Sequence, residues 1–153
     1  MSGWKKFWGR NAATPSKAAE PLSARQRGQD GEEIAARELL SRGYRIIERN
    51  WRPGQGQGGE IDCIAWTRGT RGEKVLAFIE VKTRRNDKQG APQEAVTPAK
   101  QRQIARLANL YVSFHKIDDV VCRFDVMEVW LDDNTDARCA LHCNAFEAGD
   151  SRQ

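Results

Sequence analysis

The chain has 153 residues, of which 39% are hydrophobic and 30% charged, a balance typical of one soluble globular domain with a single core. No apolar run approaches the length of a membrane span, and the N-terminus lacks the apolar segment of a secretory signal, so we expect a cytoplasmic, non-membrane protein. Residues 1–27 contain six basic residues and one acidic residue, a local charge of +5 against a net charge of +4. The basicity therefore says little about what the folded part binds.

Three regions follow from composition. Residues 1–24 mix Ala, Pro, Ser and Lys without periodicity and are interpreted as a flexible basic tail. Residues 25–147 form the predicted domain, and 148–153 a C-terminal tail. The domain opens with a helix from Gln29 to Ser41, for which Gly43 supplies the stop signal. A strand, "YRIIERNW", follows.

Three further strands and a second helix complete the predicted order α-β-β-β-α-β. "EIDCIAW" and "VLAFIEVKT" are strand-like runs joined by "TRGTRGEK", and "VVCRFDVMEVW" is a later one. Thr97 and Pro98 have the pattern of an N-cap and first helical residue, opening a helix through about Phe114. "CALHCNAF" is left unassigned. The order predicts an α/β fold with a central mixed sheet.

Gly54, Gly56 and Gly59 spell GxGxxG, the string found in dinucleotide-binding loops. That motif needs a helix after the glycines, so that the helix N-terminus faces the pyrophosphate. Here an alternating strand pattern follows and Pro53 precedes. An oxidoreductase is therefore disfavoured, and the glycines are interpreted as a sharp turn into the strand.

Two carboxylates are predicted to meet on neighbouring strands. Residues two apart share a strand face, and a hairpin centred near Arg71 places Asp62 opposite Glu80, and Glu60 opposite Lys82. Paired carboxylates repel unless a cation lies between them, and Mg²⁺ prefers such oxygen ligands. Lys82 could then orient a water molecule or neutralise a phosphate. The alternative is an ordinary cross-strand salt bridge on a solvated face, which spacing alone favours.

The two helices add a charge each to faces that should be apolar. Glu32 falls in the middle of the first helix's apolar stripe, where an unpaired carboxylate would be costly and a metal-centred polar cluster would give it a partner. The alternative is that Glu32 only complements the helix dipole. Lys100 lies on the apolar face of the second helix and suits an anion such as phosphate, although snorkelling to solvent is the ordinary explanation. The stripes are Ala35, Ala36, Leu39 and Leu40 in the first helix and Ile104, Leu107, Ala108 and Tyr111 in the second.

The four cysteines are expected to be reduced thiols in a chain without a secretory signal. Cys139 and Cys143, with His142 between them, are conceivable zinc ligands. A zinc site needs a second pair at suitable spacing, and none is evident, so zinc is not expected.

Five segments together resemble the YraN family of small bacterial endonuclease-like proteins. They run in order from about Gly28 to Phe146, and the pairing of GEID with EVKTR at this separation is highly specific. The segments are "GEEIAARELLSRGYRIIERNWR", "GGEIDCIAW", "FIEVKTR", "TPAKQRQIARLANLYV" and "CRFDVMEV". The family resembles restriction endonucleases and Holliday-junction resolvases, so the resemblance implies a restriction-endonuclease-like core, a central mixed sheet flanked by helices.

The resemblance also implies a metal-dependent nuclease, with Mg²⁺ or Mn²⁺ bound by Asp62, Glu80 and the carbonyl of Val81. Lys82 becomes the motif lysine and Glu32 the helix-borne glutamate. Lys100, Arg84 and Arg85 are the expected contacts to backbone phosphates of nucleic acid, DNA before RNA. The analogy with resolvases suggests a homodimer, although no residue demonstrates one. The insertion "PGQGQG" and the basic tail depart from the family pattern, and a non-catalytic nucleic-acid-binding or assembly module is the alternative function.

Overall fold

The computed structural model describes residues 24–54, 58–85, 96–131 and 136–149. They form two helices and five strands. In chain order these are α1 (Ala24–Ser41), β1 (Arg45–Trp51), β2 (Ile61–Arg68), β3 (Lys74–Arg84), α2 (Pro98–Phe114), β4 (Val121–Trp130) and β5 (Arg138–Phe146). The predicted basic tail lies outside the described residues except for Ala24, where α1 begins, five residues before the predicted helix start.

The five strands form one mixed sheet in the order β1-β2-β3-β4-β5. β3 and β4 are parallel and are connected through α2, whereas the other neighbouring pairs are antiparallel. The predicted α/β class, a central mixed sheet flanked by helices, is confirmed. The unassigned segment "CALHCNAF" is β5, which forms one edge of the sheet.

The sheet separates two apolar clusters, one under each helix. Leu76 and Phe78 of β3 pack with Leu107 of α2, while Ala77 and Ile79 pack with Leu39 of α1. Every residue of β3 from 75 to 80 is buried. A strand covered on both faces loses the alternation of apolar and polar residues. The face that carries Glu80 is therefore a helix-covered face and not a solvated one.

Helix α1 ends as the sequence predicts. Gly43 has φ +84°, and the amides of Gly43 and Tyr44 bond back to the carbonyls of Leu40 and Leu39, a Schellman ending that needs a left-handed residue. Leu40 is 56% exposed, so its assignment to the buried stripe was wrong, because α1 contacts the sheet through the narrower face of Ala35, Ala36 and Leu39.

Helix α2 begins where predicted, since Thr97 accepts a hydrogen bond from the Lys100 amide and Pro98 occupies the first turn. Its four predicted apolar residues are buried, namely Ile104, Leu107, Ala108 and Tyr111.

Helix α2 also contacts the glycine segment that precedes β2. Arg106 donates to the Gly58 carbonyl at 2.8 Å. A Cβ on Gly59 would lie 2.6 Å from the Gln103 side chain.

The glycine segment leads directly into β2 and not into a helix. Gly54 and Gly59 have φ of +97° and +107°, a region of backbone conformation that glycine adopts without strain. Gly56 lies outside the described residues. The predicted role of Gly54 and Gly59, a turn into the strand, is confirmed.

Candidate functional site

The β2–β3 hairpin brings Asp62 and Glu80 together. Its register pairs Cys63 with Ile79 and Ile64 with Phe78, as the hairpin centred near Arg71 predicts. One step beyond Cys63, the Asp62 carboxylate accepts a hydrogen bond from the Val81 amide at 2.8 Å. Asp62 is thus fixed at the edge between the two strands by the backbone of the residue that follows Glu80.

Glu80 is buried, with only 5% of its surface exposed, and two lysines reach it. Lys82 Nζ lies 3.2 Å from Oε1, and Lys100 Nζ lies 3.5 Å from Oε2. Lys100 forms an ion pair with Glu80 but no hydrogen bond, and Glu80 Oε2 has no hydrogen-bond partner among the described residues. Glu60, in contrast, pairs with Arg52 through Nε at 2.9 Å and takes no part in this contact.

Electrostatics shows that Asp62 is short of compensating charge. Burial, then the neighbouring Glu80 carboxylate, raise the pKa of Asp62 from 3.8 to about 7, and Glu32 adds a smaller contribution. The Val81 amide and the Lys100 ammonium group act in the opposite direction and only partly compensate. Two carboxylates share a poorly solvated pocket, and a further cation there would favour the charged form of Asp62.

Glu32 lies close enough for its charge to affect Asp62, but the three carboxylates do not form one ligand set. Within the described ranges, no three His, Cys, Asp or Glu side chains lie close enough together to hold a metal ion jointly. The expected convergence of Glu32, Asp62 and Glu80 on one ion is therefore not seen. Glu32 is partly buried on α1, one turn before Ala35 and Ala36.

Helix α1 approaches the end of β3 closely because residue 31 has no side chain. A Cβ added to Gly31 would lie 2.1 Å from Thr83 Oγ1, closer than any real contact. Gly31 thus sets the distance between α1 and β3 beside Glu32. This role could not be predicted from the sequence, because a helix interior can also contain a glycine that makes no close contact.

The three predicted phosphate contacts have different environments. Lys100 lies at Glu80, and Arg85 is exposed after the last residue of β3. Arg84 instead forms an ion pair with Glu128, its Nε 2.6 Å from Oε1, and its side chain is only 10% exposed. This pairing leaves Arg84 less available than Lys100 or Arg85 for the predicted phosphate contact.

Sequence reasoning missed the residues around Arg84. Glu128 of β4 is 3% exposed and accepts from Arg84 on one oxygen, while His142 Nε2 lies 2.9 Å from the other. His142 was considered only as a zinc ligand. The sequence signal for this cluster is Glu128, a charged residue that follows Phe124 and Val126 at alternate positions on the buried face of β4. A carboxylate at such a position needs a partner.

The second buried carboxylate of β4, Asp125, lies on the other face of the strand and has a structural role. It is fully buried and accepts from both Arg123 and Tyr44, and its Oδ1 accepts the Asn144 amide at 2.9 Å. Asn144 has φ +53° and lies in a bulge where β5 gains two residues relative to β4. Asp125 therefore stabilises the irregular pairing of the edge strand.

The cysteines do not contribute to this pocket. All four are free thiols, with Cys63 buried and Cys143 exposed. The Cys143 sulfur lies 3.5 Å from the Tyr44 hydroxyl, at the Asp125 cluster.

None of the helices in the described ranges is long and apolar enough to cross a membrane.

Fold and site together define an α/β protein in which two carboxylates of the β2–β3 hairpin lie beside two lysines, one from β3 and one from α2. The model of the Uncharacterised protein family UPF0102 matches residues 31–129. A UPF0102 protein of Symbiobacterium thermophilum is 49% identical over 125 residues, covering 82% of this chain and 99% of the relative. One of Pelobacter propionicus is 45% identical over 134 residues, covering 88% and 91%. The chain belongs to the UPF0102 family, and its predicted membership of the YraN family is confirmed.

A likeness to one solved structure is much weaker. SfsA of Pyrococcus furiosus, solved in complex with Ca²⁺, is 16% identical with a TM-score of 0.29, covering 79% of this chain and 64% of that one. At that TM-score the likeness supports no argument about this chain.

Proposed function

We propose that the protein is a metal-dependent nuclease that hydrolyses phosphodiester bonds in nucleic acid, with DNA, including branched DNA, as the expected substrate. The observation that carries this proposal is the pocket in which Glu80, beside Asp62, forms ion pairs with two lysines. A partly buried acid pair beside ammonium groups combines a site for a cation with a site for a phosphate. The family resemblance of the motif supports the same chemistry.

The pocket fits a divalent cation such as Mg²⁺ or Mn²⁺. Glu80 Oε2 is buried without a hydrogen-bond partner among the described residues, and Asp62 has a pKa raised to about 7. An oxygen without a hydrogen-bond partner and a carboxyl group whose charged form is disfavoured by a second carboxylate both suit the binding of a cation. Asp62, Glu80 and the Val81 carbonyl would hold the ion, a hard-oxygen set typical of Mg²⁺. When bound, such an ion activates water and stabilises charge on the reacting phosphate.

The surrounding side chains would act on the substrate. Lys82, held at Glu80, would orient the attacking water and oppose the charge of the scissile phosphate. Lys100 lies in the first turn of α2, where the helix N-terminus also favours anions, and would hold a phosphate. Arg85 would add a backbone contact beyond β3. Glu32, affecting Asp62 through its charge, would help orient water at the pocket.

A non-catalytic nucleic-acid-binding or assembly module is the second candidate. It is favoured by the two ion pairs at Glu80, because lysines that already neutralise the carboxylate could be a purely structural arrangement. Both candidates predict binding of nucleic acid that weakens with salt. Only the nuclease predicts a cation-dependent reaction.

Cleavage assays on branched, single-stranded and duplex substrates with Mg²⁺ or Mn²⁺ separate the two candidates. We expect wild-type cleavage that Glu80→Ala and Lys82→Ala each reduce by at least about 100-fold, the usual contribution of a positioned catalytic group. Glu60→Ala is the matched control, since Glu60 pairs with Arg52 outside the pocket. Nucleic-acid binding that survives both pocket substitutions, with no cleavage of any substrate by the wild type, would favour the binding module.

A further inference from the structure

Lys82 has two carboxylates within reach of its strand position. Glu80 lies two residues earlier on β3, and Glu128 is the direct neighbour of Lys82 on β4 in the parallel register. Adjacent strands lie about 4.8 Å apart, so paired residues on the same face are natural ion-pair partners. Lateral pairing with Glu128 would draw the ammonium group away from the Asp62–Glu80 pocket.

The lateral pair is not formed, because both oxygens of Glu128 are already engaged. Arg84 Nε lies 2.6 Å from Oε1, and His142 Nε2 lies 2.9 Å from Oε2. Lys82 Nζ instead lies 3.2 Å from Glu80 Oε1. Three strands contribute to these contacts: β3 provides Lys82 and Arg84, β4 provides Glu128 and β5 provides His142.

We propose that His142 and Arg84 are positioning residues that occupy Glu128 and thereby keep Lys82 at the carboxylate pocket. The functional consequence rests on the proposed nuclease activity, whereas the effect on Lys82 does not. Loss of the His142 ring frees one oxygen of a carboxylate that is 3% exposed. Water has little access to that oxygen, so the nearest cation in register, Lys82, turns toward it.

His142 is the informative residue to change. Its side chain is 33% exposed on an edge strand, so its replacement leaves the core intact. Removal of Arg84 would instead leave a buried carboxylate without its main partner and endanger folding. His142→Gln is the conservative variant, because its amide can still donate to Glu128. His115, the only other histidine, is exposed at the end of α2 and provides the matched control His115→Ala.

The direct test follows the Lys82 side chain by ¹³C and ¹⁵N NMR of the lysine ammonium group in EDTA, with the signal assigned by its loss in Lys82→Arg. His142→Ala should shift the Lys82 signal, while His142→Gln and His115→Ala leave it at the wild-type position. The double variant His142→Ala with Glu128→Gln removes the competing charge and should return the signal. A Lys82 signal that does not move in His142→Ala, or that the double variant fails to restore, overturns the proposal.

Cleavage provides the second readout. His142→Ala should lower kcat about tenfold with KM little changed, less than the roughly 100-fold or greater contribution of a fully lost catalytic group. His142→Gln and the double variant should recover most of the rate. A rate loss that His142→Gln fails to restore contradicts the positioning role. If the wild type cleaves no substrate, the proposed function fails, and the NMR result still decides whether His142 controls Lys82.

Discussion

Substitution of Asp62 by Asn should stabilise the metal-free protein at neutral and alkaline pH. The folded protein holds the pKa of Asp62 at about 7, against 3.8 for an ordinary aspartate, through burial and then the Glu80 charge. The folded state therefore retains a proton that the unfolded chain releases between these values. The stabilising contribution of this retained proton is fully present below pH 3.8 and is lost as the pH rises toward about 7.

The size of the loss follows from the same two values. Each unit of pKa corresponds to about 1.4 kcal/mol, so the gap between 3.8 and about 7 corresponds to on the order of 4 kcal/mol. Partial exposure and coupling to Glu80 reduce the expected gain to about 2–4 kcal/mol at about pH 8. The Asn side chain can still accept the Val81 amide, so the hydrogen bond at 2.8 Å is retained.

Urea unfolding in EDTA, measured between about pH 4 and about pH 8, gives the free energy of unfolding of each variant. The wild type should lose stability relative to Asp62→Asn across this range, and Glu60→Gln should follow the wild type because Glu60 lies outside the pocket. Parallel profiles for the wild type and Asp62→Asn would refute the reasoning, since the buried charge of Asp62 would then cost nothing.

Three further predictions concern metal, packing and the edge strand. Mn²⁺ at about 100 times its Kd should stabilise the wild type by about 2.7 kcal/mol in thermal unfolding, and Asp62→Asn or Glu80→Gln should remove this gain. Gly31→Ala should destabilise by about 1–3 kcal/mol through the 2.1 Å approach to Thr83 Oγ1, but should be neutral or stabilising together with Thr83→Ala; equal effects in both backgrounds would contradict this contact. Asp125→Ala should cost about 3–5 kcal/mol in urea unfolding, because Arg123 would lose its buried partner; a loss below about 1 kcal/mol would exclude the structural role.

Local patterns were sufficient for most of the elements. Thr97 and Pro98 located the start of α2, and Gly43 the end of α1, because caps and stops depend on a few neighbouring residues. The hairpin centre fixed the register of Cys63 with Ile79 because a short turn leaves few alternatives. β5 was not predicted, because its two-residue bulge at Asn144 interrupts the alternation of apolar and polar residues by which strands are identified.

The site was predictable only in part. The sequence predicts that Asp62 lies opposite Glu80 and predicts the strand face of Lys82 and the helix face of Lys100. Strand and helix periodicity determine which side chains lie on the same face. The sequence could not show where Glu32 lies relative to Asp62 and Glu80, because that depends on how closely α1 packs against β3 at Gly31. It also did not indicate that Arg84 pairs with Glu128.

By itself, therefore, the sequence determined most of the elements, the β2–β3 register and the acid–lysine motif, which follow from residues near one another in the chain. Only the tertiary structure decided the partners of Arg84 and Lys82. Glu128 and His142 lie more than forty residues away along the chain, and their contacts with each other and with Arg84 exist only once β3, β4 and β5 are paired. Burial then fixes the outcome, because a carboxylate shielded from water holds whichever donors the fold places beside it.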